Sequence, residues 1–395
     1  MNLLICSHYF APSVGGVETA VLSLARGLAE CDAGKSKTIN VTVATDTARK
    51  GFDDNALPFR VVRQPGPATL WSLIHRADII HLAGPTLIPL VFVFLLRKPC
   101  VIEHHGYQAI CPNGVLIQSP SRSMCPGHFQ ARRYDKCLRC LAAETSALKA
   151  LARLIFMFPR NLLSKAADAN VAITEHVRRR HDLPNSRVIY YGISDLALTP
   201  QAKPVREQNR TVCFAYVGRF VPEKGIDLLL RATALLRDFN LPFKVRLIGD
   251  GPLREKLRMV SAEEKITDVV EITGFLTGPD LESALFDVDV VVMPSVWEEA
   301  AGLSAIEQMM RGKLVIASSV GGLAEVVADA GMLFATGDAA ALALCMRKVL
   351  SDPSTINALR EKARKRALHL FQFDRMVKEH ASLYLEIYAK SKNAK

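Results

Sequence analysis

The chain has 395 residues, 49% of them apolar and 23% charged, and its 50 Lys and Arg against 39 Asp and Glu give a formal net charge of +11. This length and composition exclude extensive disorder and fit two domains with separate cores. The basic balance calls for an anionic partner, whether a nucleotide, an acidic membrane surface or nucleic acid; nucleic acid ranks last because no RNP-like, zinc-finger or helix-turn-helix pattern is present.

Met1 to Phe10 lacks a basic start, and Leu3 to Ser7 (LLICS) reads as a buried strand rather than a secretory signal, so a cytoplasmic protein is expected. Ala11 to Gly16 follows as a glycine turn, after which Val17, Val21, Leu24 and Leu28 recur at helical spacing. Strand, glycine turn and helix start let backbone amides approach an anion, although a plain tight turn uses the same residues. Short strands at Ile39 to Thr45, Phe59 to Arg63 and Asp78 to His81 alternate with helical patterns such as Leu70 to Arg76, which predicts a parallel sheet. The longest apolar run, Leu87 to Leu96, falls short of the ~20 residues of a spanning helix. Pro99 to Glu103 is the next strand and leads into His104 and His105, at the strand end that faces the ligand crevice in such sheets. His104 reads as a structural strand-end residue.

Cys111, Cys125, Cys137 and Cys140 then fall in an aperiodic stretch rich in Pro, Gly, Ser and Arg. Three readings stay open: a structural Zn²⁺ held by four thiolates, unpaired thiols, or a redox pair at the Cys137–Cys140 CxxC. Cys6, Cys100 and Cys213 lie in strand-like runs as small core residues. Leu148 to Ala167 is helical in pattern and carries Lys149, Arg153, Arg160 and Lys165, so it is either a core-facing surface helix or a basic amphipathic one in peripheral contact with an anionic membrane. Ala169 to Thr174 and Arg187 to Tyr191 complete the strands of the first half, and Thr199 to Arg210 has linker composition.

The second half opens with strand Val212 to Val217 and the segment Gly218-Arg219-Phe220-Val221-Pro222-Glu223-Lys224-Gly225. Two cations at a strand end suit a diphosphate: Arg219 engages oxygens as a fork and Lys224 adds a point charge. Strand Phe243 to Ile248 ends at Gly249-Asp250-Gly251-Pro252, and Val269 to Thr273 precedes Gly274-Phe275. Asp289 to Met293 is a buried strand, followed by PSVWEEAAGLSAIE from Pro294 to Glu307, where a helix begins near Leu303. Its free amides at Gly302, Leu303 and Ser304 form a natural seat for phosphate. Glu299 and Glu307 are eight positions apart, roughly 12 Å if the interval were all helix. Beside a diphosphate they would accept hydrogen bonds from hydroxyls; alone, they would be solvated surface charges.

The span Glu299 to Glu307 resembles the E-x7-E element of family 4 retaining glycosyltransferases, whose GT-B fold has two facing Rossmann-like α/β domains. The likeness continues at Gly15-Gly16, His105, Arg219, Lys224, Gly249 to Leu253 (GDGPL) and Val320 to Val327 (VGGLAEVV). It implies an acceptor-binding domain over 1–195, a linker over 196–210, a nucleotide-sugar domain over 211–370 and a last segment, 371–395, that returns to the first domain. It further implies transfer of a hexosyl residue, with retention, from a nucleoside diphosphate sugar to a glycan or lipid-linked acceptor at the cytoplasmic face of a membrane, with no cofactor required.

In that scheme Gly16 lines the cleft near the donor phosphate and the acceptor, His105 is directed at the transferred sugar, the backbone at Phe275 meets the base, Glu299 holds sugar hydroxyls and Glu307 the ribose diol. The chain departs from the pattern at Gly106, Tyr191, Ser194, Ala301 and Ser304. A nucleotide-sugar epimerase or hydrolase of the same architecture, and a non-catalytic partner-binding protein, are the competing readings.

Overall fold

A computed structural model describes residues 1–30, 39–194, 211–239 and 241–393. The expected linker over 196–210 lies outside them. The chain forms two compact units, one of Met1–Gly192 with Gln372–Lys395 and the other of Ile193–Phe371.

In chain order, the first unit contains β1 (Asn2–Ser7), α1 (Gly16–Glu30), β2 (Asn40–Thr45), β3 (Arg60–Arg63), α2 (Pro67–Arg76), β4 (Ile79–Ala83), α3 (Leu87–Leu95), β5 (Cys100–His104), α4 (Tyr134–Ala142), α5 (Ala147–Lys165), β6 (Ala169–Ala172), α6 (Glu175–His181) and β7 (Ser186–Val188). All seven strands are parallel, in the order β3-β2-β1-β4-β5-β6-β7. The unbroken apolar runs explain this: Leu3 to Cys6, Ile79 to Ala83 and Cys100 to Ile102 are buried throughout, as strands covered on both faces must be.

The second unit contains β8 (Val212–Val217), α7 (Ile226–Leu236), β9 (Phe243–Ile248), α8 (Arg254–Glu263), β10 (Val270–Gly274), α9 (Gly278–Phe286), β11 (Val290–Met293), α10 (Leu303–Met310), β12 (Leu314–Ser318), α11 (Gly321–Val327), β13 (Met332–Phe334), α12 (Ala339–Ser351) and α13 (Pro353–Leu370). Its parallel sheet runs β10-β9-β8-β11-β12-β13. Strand order reverses between β1 and β4 in the first sheet and between β8 and β11 in the second. Loops leaving the carboxyl ends of those strands are where open α/β sheets bind ligands.

The chain then re-enters the first unit as α14 (Phe373–Asn393), which buries Met376, Val377, His380, Leu383, Tyr384 and Ile387. It lies against α1 at Gly27, where an added Cβ would come within 2.4 Å of Val377 Cγ2 and 2.6 Å of Phe373 Cζ. Among the described residues no helix is long and apolar enough to cross a membrane.

His104 is structural, and its protonation follows from its partner. Asn170 Nδ2 donates to the Ser164 carbonyl at 3.0 Å and the Pro184 carbonyl at 2.9 Å, which turns Oδ1 to His104 Nε2 at 2.9 Å. Nε2 must therefore donate. Burial holds the ring neutral and lowers its pKa from 6.5 to about 4; His81, His105 and His181 are lowered by burial too.

An unfolded chain takes up these protons first. Stability from neutral burial is therefore complete above pH 6.5 and is lost as pH falls from 6.5 toward 4. His104 alone accounts for about 3 kcal/mol of that loss, at about 1.4 per pH unit. Urea unfolding of the first unit at pH 7 and pH 4.5 checks this; equal midpoints would rule it out.

Candidate functional site

The second unit brings two loops together at the β8/β11 switch point. The loop after β8 carries Arg219, exposed, and a 3-10 turn over Pro222–Lys224; the loop after β11 carries Glu299 and enters α10 at Gly302. Lys224 Nζ meets Glu299 Oε1 at 2.7 Å and lies 5.8 Å from the Trp297 ring centroid. Ser295 Oγ also donates to Glu299 Oε1. Burial by itself would raise the Glu299 pKa, but the Lys224 ammonium and the Ser295 hydroxyl hold it below the usual carboxylate range. The site therefore carries an ionised acid and a cation that are both largely shielded from water, where charge acts more strongly than in water.

Glycines set this spacing. Gly225 has φ +62° and a Cβ there would stand 2.1 Å from the Pro294 carbonyl oxygen, while Val296 N–H donates to the Glu223 carbonyl at 3.0 Å. Any other residue at 225 would push the Lys224 turn off the Glu299 loop. On the far side, Gly321, φ +57°, packs on the Glu299 backbone, and Gly322 N–H donates to the Glu299 carbonyl at 2.6 Å. Gly249 meets the Gly218 carbonyl, and Phe220 N–H donates to the Asp250 carbonyl at 2.8 Å, so the GDGPL turn supports the Arg219 loop from below.

Gly302 is left-handed, φ +86°, and caps α10, leaving the amides of Leu303 and Ser304 at the helix start. Glu307 lies inside α10, partly buried; burial raises its pKa, with Glu282 adding to the effect and Arg311 opposing it. Arg311 is tied to the Glu282 carboxylate. Phe275, just after β10, is 62% exposed, an aromatic face open to a flat ligand.

The family model for glycosyl transferases group 1 matches residues 199–366. This chain carries a group 1 glycosyltransferase domain. The 2-deoxystreptamine glucosyltransferase of Streptomyces kanamyceticus is 34% identical over 226 residues, 57% of this chain and 51% of that protein, so the match spans about half of the relative's length. The 2-deoxystreptamine N-acetyl-D-glucosaminyltransferase of Streptomyces fradiae is 28% identical over 378 residues, 86% of this chain and 83% of that one. In fold, the chain is similar to HepE of Anabaena, crystallised in complex with UDP, with a TM-score of 0.72 at 18% identity, covering 98% of this chain and 100% of that one. Two Rossmann-like parallel-sheet units make the fold GT-B.

The group 1 domain holds Arg219, Lys224, Gly249, Phe275, Glu299, Gly302, Leu303, Ser304 and Glu307. Gly16 and His105 belong to the other unit, as do the four clustered cysteines. Gly16 is exposed and opens α1, with Glu18 in the first turn.

The expected role of His105 needs correction. Its side chain is 3% exposed, Nδ1 is 2.7 Å from the Tyr191 hydroxyl and Nε2 is 3.4 Å from Glu103 Oε2. Both ring nitrogens face inward, so the ring offers neither to a sugar. The ring instead joins a buried cluster that the sequence reading missed: Glu103 also meets His81 Nε2 at 3.3 Å and His380 Nε2 of α14 at 3.7 Å. An acidic residue inside the apolar strand Cys100–His104 was the available signal.

The zinc expectation is also corrected. Cys111, Cys125, Cys137 and Cys140 line one small cavity with His128, but among the described residues no three His, Cys, Asp or Glu groups are arranged to hold a metal ion. The CxxC lies on α4, and the thiols have other partners: Cys111 donates to Asn113 Oδ1 at 2.8 Å, and Cys140 accepts from Ser119 N–H at 3.2 Å. Burial pushes the Cys137 thiol up to about 12, a neutral core group.

Proposed function

We propose that this protein transfers a hexosyl residue from a nucleoside diphosphate sugar to a glycan or lipid-linked acceptor, with retention at the anomeric carbon. The observation that carries the reading is the Lys224–Glu299 pair beside the α10 N-terminus at the β8/β11 switch point. It is supported by relatives that bear the names of sugar transferases and by a similarly folded protein crystallised with UDP.

Arg219, Lys224 and the amides at Gly302 to Ser304 meet the charge that builds on the departing diphosphate. Glu299 takes hydrogen bonds from the sugar hydroxyls. Glu307 takes them from the ribose diol, and the base lies against Phe275. The acceptor enters from the face that the diphosphate leaves, and a phosphate oxygen receives its proton. His105 is given no part in this chemistry, since its ring is buried with Nδ1 on the Tyr191 hydroxyl and Nε2 turned toward Glu103.

Binding is tested first. UDP or GDP at 100 times its Kd should stabilise the protein by about 2.7 kcal/mol, seen as a raised melting temperature. No shift with either nucleotide at millimolar concentration would overturn the reading. Mass spectrometry of donor and acceptor mixtures then separates transfer from hydrolysis.

A further inference from the structure

Six of the twenty large apolar side chains exposed among the described residues belong to one helix, α5. They are Leu148, Leu151, Ile155, Phe156, Phe158 and Leu162. Phe158 is partly covered, since its ring meets those of Phe129 and Tyr134 at 5.5 and 5.1 Å. At 100° per residue the other five fall within an arc of roughly 140°. The residues buried beneath α5 are Ala150, Leu154, Met157 and Ser164, on the opposite side. The helix is thus apolar on its outward face as well as at its base, the reverse of an ordinary surface helix.

Its charges are one-sided as well. Ala147–Lys165 contains Lys149, Arg153, Arg160 and Lys165 and no acidic residue; Lys149, Arg153 and Lys165 are exposed. The apolar stem of a long basic side chain lies along such a face while its head reaches outward to anions. α3 packs against α5 and adds exposed Ile88 and Leu95, with exposed Arg97 just after its end. An outward apolar strip about 21 Å long, on a helix whose only charges are cations, matches the interface of an anionic bilayer: acyl chains for the leucines, headgroup phosphates for the lysines and arginines.

We propose that α5 lies in the surface of an anionic membrane, with Leu148, Leu151, Ile155, Phe156 and Leu162 inserted below the headgroups. The proposal does not rest on the nucleotide-sugar reading, because vesicle binding needs no nucleotide.

The test is flotation of the full chain with vesicles of phosphatidylcholine alone or with 30% phosphatidylglycerol. Binding is expected to the mixed vesicles at low salt, at least tenfold weaker to neutral ones and weakened by 0.5 M salt. The triple variant Leu148→Ser, Ile155→Ser, Leu162→Ser should lose more than tenfold of it with an unchanged melting temperature, since all three side chains are exposed, and Lys149→Glu with Arg153→Glu should lose it as well. If the chain ignores both kinds of vesicle, the proposal is overturned. It is equally overturned if sedimentation shows α5 buried in a self-associated form that the triple variant disperses and no vesicle binding is seen.

Discussion

Lys224→Ala is expected to lower kcat/KM for the nucleotide-sugar donor by about 10²- to 10³-fold, the usual loss when a group aimed at developing charge is removed. Part of any effect could come from structure, because Glu299 would be left nearly buried without its cation. The double variant Lys224→Met, Glu299→Gln separates the two. It removes the pair together, so stability should return toward wild type, within about 1 kcal/mol, while activity stays lost. Glu307→Ala should abolish donor binding with the fold intact. Full activity in Lys224→Ala would end the assignment of this loop to the diphosphate.

Glu103→Ala should destabilise the first unit by about 2 to 4 kcal/mol, the cost of leaving several buried imidazole nitrogens without a hydrogen-bond partner. Burial alone would drive the Glu103 pKa up, but His105, His380 and His81 hold it well below the ordinary value. Hydroxyls complete the arrangement: Tyr384 meets His81 Nδ1 at 2.9 Å and Tyr191 meets His105 Nδ1 at 2.7 Å, both phenols kept neutral by burial. Because His380 Nδ1 donates to the Met376 carbonyl at 2.9 Å, its Nε2 is aimed at Glu103 from α14. Removing the carboxylate leaves three buried imidazoles without their common partner. In calorimetry the transition of the first unit should move down by roughly 10 °C; an unmoved transition would show that the cluster is energetically idle.

Much of the architecture was legible because the central parallel strands are unbroken apolar runs with a polar or glycine break, as Val212–Val217 and Leu314–Ser318 illustrate. β13, only Met332–Phe334, is too short to leave such a trace. The site was legible as a list of residues and opaque as a geometry. Lys224 and Glu299, read as separate contacts to phosphate and sugar, lie 75 positions apart, and only folding reveals that they hold each other. Ser295 and Gly225 had no local pattern to mark them, since their roles are set by what packs against them. His105 shows the opposite failure: its place at a strand end was right, but the inward turn of its ring depends on Tyr191 and Glu103, which no local window around it could weigh.

The return of α14 into the first unit bears on how the protein is made. Residues 193–371 are contiguous and can close their core while still emerging from the ribosome. The earlier half cannot, because Met376, Val377, His380 and Tyr384 are translated after the second unit and fill the interior of the first. Its sheet must wait, with apolar surface uncovered, for the rest of synthesis. Chaperone demand should therefore be concentrated on the segment synthesised first, and a chain released at Phe371 should present a folded second unit fused to an aggregation-prone first one.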